Sequence, residues 1–515
     1  SRGYPDYQSF KVALDDHRQA IATVFENLLS PRPVSSSLGR LLWEHPDDSE
    51  QLAGCGFYDP DGASELLNGL IKARDRPSVS AEARNRLDGL MPLLLEDIVA
   101  TGSADRALSR VLPVVRAVLR RSAYLVLLSE NPHARAHFVE LVTMSLWLGE
   151  NLVSHPVFFD ALLDERLLTI VPDRSALTTS LSRELAGTEN DIEQALEVLR
   201  EFKNHHLFNV ALAELRGTLP LMRVSDALTF LAEALLIAAL DIAWRDNLDR
   251  FPEHADERPF IVVGYGKLGG IELGPGSDLD LVFIHDLPPS AGPFLHRLAR
   301  RLLHVLTVST YNGTLYEIDT RLRPSGNAGT MVSSLEAFKD YQQNRAWVWE
   351  HQALVRARVV AGDPQLGRRF ERLRRELLQQ PRDGRILGEE VQKMRARISE
   401  HHTEGSTEDE DLKRASGGIV DIEFMVQYLV LAFAHNYPSL TEYTDNVRIL
   451  DEVARLALLP VEVVERLRTA YLGLRAEWHR GVLDIPDSAR AAQTLSRYRE
   501  DVRTTWKLVF DSETD

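Results

Sequence analysis

Asp278 and Asp280 stand one residue apart at the head of an apolar run, in the stretch Ile261 to Asp286, IVVGYGKLGGIELGPGSDLDLVFIHD. On an extended strand such residues project from one face, roughly 6.5–7 Å apart at Cα. Unpaired charge this close to a buried strand is costly, so two carboxylates here point to a bound divalent metal ion. Before them, Gly264, Gly266, Gly269, Gly270, Gly274 and Gly276 form a turn whose backbone N–H groups can approach a phosphate chain. Ser277 leads from that turn into the first aspartate. Lys267, inside the turn, either neutralises phosphate charge or lays its stem over the sheet.

A third carboxylate follows in TLYEIDTRL, Thr314 to Leu322, read as a strand after a helix from Phe294 to Thr310. Alternation sets Glu317, Asp319, Arg321 and Arg323 on one face. Asp319 is the expected third metal ligand, with Glu317 in reserve. Arg321 and Arg323 could clamp β and γ phosphates by bidentate contacts, or simply cover the sheet. A glycine-rich turn alone is weak evidence of chemistry. Joined to Asp-x-Asp on one strand and a carboxylate on a later one, it has the parts of a two-metal nucleotidyl transfer, in which the metals activate the attacking oxygen and neutralise charge on the α-phosphate.

The elements that must position these residues are mostly helical. Strand signals fall only between about Pro259 and Gly362: Ile261 to Val263, Leu279 to Ile284, Thr314 to Leu322, a short Thr330 to Ser333, and Ala353 to Val360. In the last of these, Arg356 and Arg358 share a face turned toward phosphate or toward solvent. The expected fold is mainly α with an α+β core, a small mixed sheet set between helical regions. Its expected parts are an N-terminal helical region, 1–130; a helical scaffold, 131–258; the catalytic core, 259–362; and a C-terminal helical bundle, 363–515. Gln8 to Leu29 carries a helical stripe, and Pro92 and Pro113 are expected to kink or break their helices. The acidic run Thr403 to Asp411 has no apolar anchor and reads as a solvated loop. Asp421 and Glu423 beyond it either offset a helix dipole or belong to a block closing over the nucleotide site.

The 515 residues carry a formal net charge of −17, which argues against a nucleic-acid substrate. With Cys55 the only cysteine, no intramolecular disulfide can form and a reducing cytoplasm is the expected setting. The longest apolar run, Ala234 to Leu240, is too short to cross a bilayer, and no membrane association is expected. His133, His137 and His155 lack a partner set of ligands and read as solvated helix histidines.

The blocks GYGKLGGIELGPGSDLDLVFIHD, LYEIDTRLRPSG, WEHQALVRARVVAGDP and GGIVDIEFMVQYLVL together resemble the bifunctional glutamine synthetase adenylyltransferase and adenylyl-removing enzymes, with a DNA polymerase beta-like catalytic core. The likeness spans roughly His133 to the C-terminus. The wording is closest to the C-terminal, adenylylating half, and with one Asp-x-Asp block instead of two the chain reads as a fragment. The superfamily pattern sets its Gly-Gly or Gly-Ser pair somewhat farther ahead of the first aspartate than Gly269-Gly270. The resemblance implies transfer of AMP from ATP, with Mg²⁺, to a tyrosine hydroxyl of glutamine synthetase. It also implies regulation by a PII signalling protein and by glutamine, and by analogy Asp319 as proton acceptor. Two alternatives stay open: phosphorolytic removal of AMP by the same type of site, and a non-catalytic nucleotide-binding regulatory module.

Overall fold

The computed structural model describes residues 37–163, 173–254, 258–400, 412–485 and 489–511. The expected Gln8 to Leu29 helix and the Thr403 to Asp411 loop lie outside the described residues. The chain divides into two compact units, Ser1–Thr143 and Met144–Asp515. The described part of the first is helical. Its helices Ala81–Ala100 and Ala104–Val118 run through Pro92 and Pro113, so neither proline breaks its helix. Leu87, Leu90, Leu94 and Ile98 recur at helical spacing and are fully buried.

The second unit holds the sheet, confined to the expected interval. Its strands are β1, Phe260–Gly264; β2, Leu279–His285; β3, Ile318–Asp319; β4, Val332–Ser334; and β5, Arg358–Gly362. β1 is antiparallel to β2 and β5, while β3 and β4 run parallel to β2. Both use one edge of β2 in succession, β3 along Leu279 and Asp280 and β4 along Phe283 to His285. The sheet is mixed and the fold mainly helical, as expected.

Alternation sends the two rows of each strand into different cores. Phe260, Val262, Leu279, Leu281 and Phe283 pack with the helices Leu221–Leu248 and Gly292–Thr307. Ile261, Val263, Val282 and Ile284 pack with the C-terminal helices, including Ile419–Phe433 and Val461–Val482. Each of these side chains is buried on a sheet covered on both faces and contributes about 1.5–3 kcal/mol. Asp280 continues the second row, on the side of the C-terminal helices.

Two expected strands come out shorter. The Thr314 to Leu322 strand contracts to Ile318–Asp319 because hydrogen bonds on either side lead the backbone away. Tyr316 N–H donates to Leu306 O at 3.0 Å, and the Arg323 guanidinium gathers the carbonyls of Thr320, Asn327 and Gly329 into a turn. Ala353 to Val360 is divided between a helix, Val348–Val355, and β5. That helix is fixed at its start by Trp347 N–H donating to the Glu350 carboxylate at 2.9 Å.

Leu221–Leu248 and Leu412–Phe433 are long and apolar enough to cross a membrane, which the short-run criterion missed. They are 78% and 67% buried inside the fold, so protein rather than lipid covers their apolar surface.

Candidate active site

The glycine turn connects β1 to β2 and folds back on the strand it feeds. Tyr265 N–H donates to Asp280 O at 2.9 Å, which carries the backbone of Gly266 past the Asp280 side chain. Gly266 has φ +54°, and a Cβ there would stand 2.2 Å from Asp280 Oδ2. Only glycine meets both demands, the left-handed backbone and the close approach. Gly269 and Gly270 pack against Arg356: a Cβ on the first would stand 1.9 Å from Arg356 O, and on the second 2.8 Å from its guanidinium. Gly276 has φ +70°, and the Ser277 hydroxyl accepts from Gly274 N–H at 3.0 Å, closing the turn ahead of Asp278.

Asp278 is exposed just before β2, and Asp280 lies within it. β3 brings Asp319 alongside, since Asp280 and Asp319 are register partners in the parallel pair. Burial, then the charges of Asp278 and Asp319, push the Asp280 carboxyl up to about 6. The Asp319 carboxylate accepts from Arg321 Nε and Nη2 at 2.8 and 2.5 Å and from Arg321 N–H at 2.8 Å. Those bonds hold its pKa below the usual carboxylate value. Glu317 is exposed at the rim, its backbone carbonyl accepting from Leu279 N–H at 3.0 Å.

Among the described residues no three His, Cys, Asp or Glu side chains converge as a ready ligand set, and the Asp319 carboxylate is taken up by Arg321. The donor chemistry nonetheless fits a divalent cation. Asp278, Asp280 and Asp319 lie at one end of β2, where burial and then the charges of Asp278 and Asp319 disfavour the ionisation of Asp280. His137 meets Glu140 at 3.6 Å on a helix surface, and His155 packs on Phe158.

The predicted cations separate. Lys267 lies over the Trp478 ring, 3.5 Å from its centroid, and burial, then Lys413, lower its pKa to about 8. Arg321 is largely exposed, and Arg323 is buried and engaged by loop carbonyls. Arg356 and Arg358 face neither phosphate nor open solvent. Arg356 is buried between Glu272 and Glu423, while Arg358 pairs with buried Glu233 and donates to the carbonyls of Leu268 and Gly269 at 3.1 and 3.2 Å. Asp421, in the first turn of its helix, binds Arg395 and accepts from Gly417 N–H at 2.7 Å.

Sequence reasoning missed Glu272, the hub of the turn. Its carboxylate accepts from Arg356, from Tyr471 OH at 2.6 Å and from Asn446 N–H at 3.0 Å; its backbone carbonyl accepts from Arg475 at 3.0 Å. Burial pushes its pKa up, but Arg356 and Arg475 more than offset this and hold it below the usual value. The one available signal was an acidic residue between Ile271 and Leu273, the only carboxylate in the glycine turn ahead of Asp278.

Residues 135–373 match the family described as glutamate-ammonia ligase adenylyltransferase, and residues 386–480 match that described as GlnD PII-uridylyltransferase. Among curated proteins the chain is 42% identical to the bifunctional glutamine synthetase adenylyltransferase/adenylyl-removing enzyme of Pseudomonas putida, over 98% of this chain and 56% of that protein. It is 44% identical to the protein of the same name from Pseudomonas aeruginosa, over 90% of this chain and 51% of the relative. The chain thus spans about half the length of the curated relatives it matches. The resemblance drawn from the motif blocks is borne out.

Two outcomes follow from this geometry. Gly266→Ala forces a methyl group into the Asp280 carboxylate at a left-handed position, and it is expected to destabilise the protein by roughly 1–3 kcal/mol, measured by chemical denaturation. The Asp280 carboxyl has a raised folded pKa, so the folded state keeps a proton that the unfolded chain releases. Its contribution is therefore complete below about pH 4 and is lost as pH rises through about 6, by at most ~3 kcal/mol. Asp280→Asn is expected to flatten that decline and to melt higher than the parent at pH 7.5 without divalent metal. Equal melting temperatures for Asp280→Asn and the parent at pH 7.5 would show that the carboxylate crowding carries no energetic weight.

Proposed function

We propose that this chain transfers AMP from ATP to a tyrosine hydroxyl of glutamine synthetase, releasing pyrophosphate and lowering synthetase activity in nitrogen control. The observation that carries the reading is the juxtaposition of Asp280 and Asp319 in register, with the glycine turn folded against Asp280. The names of relatives 40–44% identical to the chain support it.

Asp278, Asp280 and Asp319 would hold Mg²⁺, with Glu317 at the rim as a further carboxylate; bound there, the ion neutralises charge on the α-phosphate and favours the phenolate nucleophile. The phenolic oxygen forms a bond to the α-phosphorus as the bond to the bridging oxygen of the β-phosphate breaks, and pyrophosphate leaves with that electron pair. A phenol with an unperturbed pKa near 10 must lose its proton to attack. Asp319 is the acceptor in this reading, and Arg321 must release it first, because three hydrogen bonds from Arg321 now stabilise its ionised form. Freed, the exposed Arg321 guanidinium is the cation best able to follow the nucleotide's phosphates. Lys267 supplies a second positive charge from within the turn, and the backbone of Gly266, Gly269, Gly270 and Gly276 with Ser277 shapes the phosphate path. Arg323, held by loop carbonyls, supports the Asp319 loop and adds its charge at longer range.

The same carboxylates serve the reverse reaction, attack of inorganic phosphate on adenylylated synthetase, and the relatives' names include adenylyl removal. A PII signalling protein and glutamine are the proposed regulators, and a reducing cytoplasm is the proposed setting.

The test is labelled ATP, Mg²⁺ and purified glutamine synthetase, followed by locating the label. Label on a synthetase tyrosine is expected with the parent chain. The pair Asp278→Asn and Asp280→Asn together should lower incorporation by at least about a thousandfold, since each ~1.4 kcal/mol lost is tenfold in rate. Label absent with the parent chain, or undiminished in the double variant, overturns the reading. Release of label only from modified synthetase with phosphate would assign the reverse direction.

A further inference from the structure

A second concentration of charge lies away from the carboxylate site. The helix Gly292–Thr307 buries Leu295, Leu298, Leu302 and Leu306 in the core on the sheet face opposite the row that carries Asp280. Its outward side carries Arg297, Arg300, Arg301 and His304, at the i, i+3, i+4 and i+7 positions of one stripe roughly 10 Å long. With Arg250, just past the end of the helix Leu221–Leu248, they line an open cleft of about 700 Å³. Four guanidinium groups meet there, and among the described residues Asp246 is the one carboxylate lining it. Asp246 meets Arg301 at 3.1 and 3.3 Å and Arg297 at 3.6 Å, which fixes two of the four side chains. A guanidinium has five N–H donors, so one shared carboxylate leaves most of theirs for a ligand. Arg250 and Arg300 are exposed and pair with no carboxylate among the described residues. The chain as a whole carries a formal net charge of −17, so this cleft concentrates positive charge against the overall sign of the molecule.

We propose that the cleft binds a polyphosphate chain, free or carried by a nucleotide, as a second ligand site distinct from the carboxylates. It lies on the far side of the helix Gly292–Thr307 from the sheet, and the proposal does not rest on the nucleotidyl-transfer reading. Of the residues that line it only Phe251 and Pro293 are apolar, so charge rather than a large apolar body selects the ligand. Each phosphoryl group of such a chain is anionic and offers oxygens that match the planar guanidinium fork in pairs. A linear run of them can follow the stripe, meeting Arg297, Arg300 and Arg301 in turn, and reach Arg250 from the neighbouring element. An extended acidic peptide fits less well. Its successive side chains point to opposite sides, so at most every second carboxylate reaches the stripe. A single inorganic phosphate engages too few of the arginines to bind comparably.

The experiment is a calorimetric titration of the full 515-residue chain with sodium tripolyphosphate, in buffer without divalent cation so that the catalytic carboxylates repel the probe. ATP, inorganic phosphate and a hexaglutamate peptide are titrated in parallel. Tripolyphosphate is expected to bind saturably at one site, at least about tenfold more tightly than inorganic phosphate or hexaglutamate. Arg250→Ala and Arg300→Ala should each weaken it by about fivefold or more while keeping the parent's melting temperature, since both side chains are exposed. Lys393→Ala, which removes an exposed cation from another helix, should leave binding unchanged. ATP binding that Arg300→Ala also weakens would assign a nucleotide-borne chain, and tripolyphosphate binding without ATP binding would assign the free one; either supports the site. No saturable binding, binding undiminished in either arginine variant, or a loss in Lys393→Ala equal to theirs would overturn it. Hexaglutamate bound as tightly as tripolyphosphate would also overturn it, in favour of an acidic polypeptide as the occupant.

Discussion

The buried Arg356 guanidinium is the constraint on which the site depends. It lies at the junction between the Val348–Val355 helix and β5, and it meets Glu272 from the glycine turn and Glu423 from the C-terminal helices. Two carboxylates and one guanidinium in a dry interior leave one negative charge over. That charge is met by Arg475, by the Tyr471 hydroxyl and by the Asn446 amide, all from the same helices. Removing any one partner leaves the others buried and uncompensated, a loss of about 3–5 kcal/mol. The glycine turn is therefore not a free loop. Its path is fixed from below by Glu272, at its carbonyls by Arg358 and by Thr444, whose hydroxyl donates to Gly269 O at 2.7 Å, and from above by the Asp280 strand.

The sheet's two rows explain why chemistry sits where it does. Along β2 the row facing the C-terminal helices reads Ile284 and Val282 in the apolar core, then Asp280, and Asp278 beyond the strand's first residue. Behind this end of β2 the C-terminal helices present Lys413, Glu423 and Arg475 alongside Ile419, Tyr471 and Trp478. The opposite row stays apolar through Leu279, packed on the scaffold helices. One strand thus anchors itself by one row and carries charge at the end of the other. The match of residues 386–480 to the second family includes several groups that hold the turn, Glu423, Asn446, Tyr471 and Arg475. The carboxylates and the groups that support the turn come from segments far apart in the chain.

What was legible in the sequence was what is local. Alternating aliphatic residues gave β1 and β2, the region beyond Gly362 read as helical, and Asp-x-Asp beside glycines gave the carboxylate end of the site. The misreadings share one cause, long-range hydrogen bonds overriding a local pattern. Thr314 to Leu322 alternates well enough to be a strand, yet Leu306 and the Arg323 turn limit it to two residues. Arg356 and Arg358 have the spacing of an exposed pair, but acidic partners that are distant in sequence bury them. Glu272 was illegible for the same reason, with partners 84 to 203 residues away.

The central claim is that the Arg356 pair couples the glycine turn to the C-terminal helices, and a double-mutant cycle on Arg356→Met and Glu272→Gln tests it most directly. Stability is measured by chemical denaturation for the parent, the two single variants and the double variant. The account predicts that each single change costs about 3–5 kcal/mol and that the double variant costs much less than their sum, with a coupling energy above about 2 kcal/mol. Additive losses, with coupling below about 0.5 kcal/mol, would contradict it.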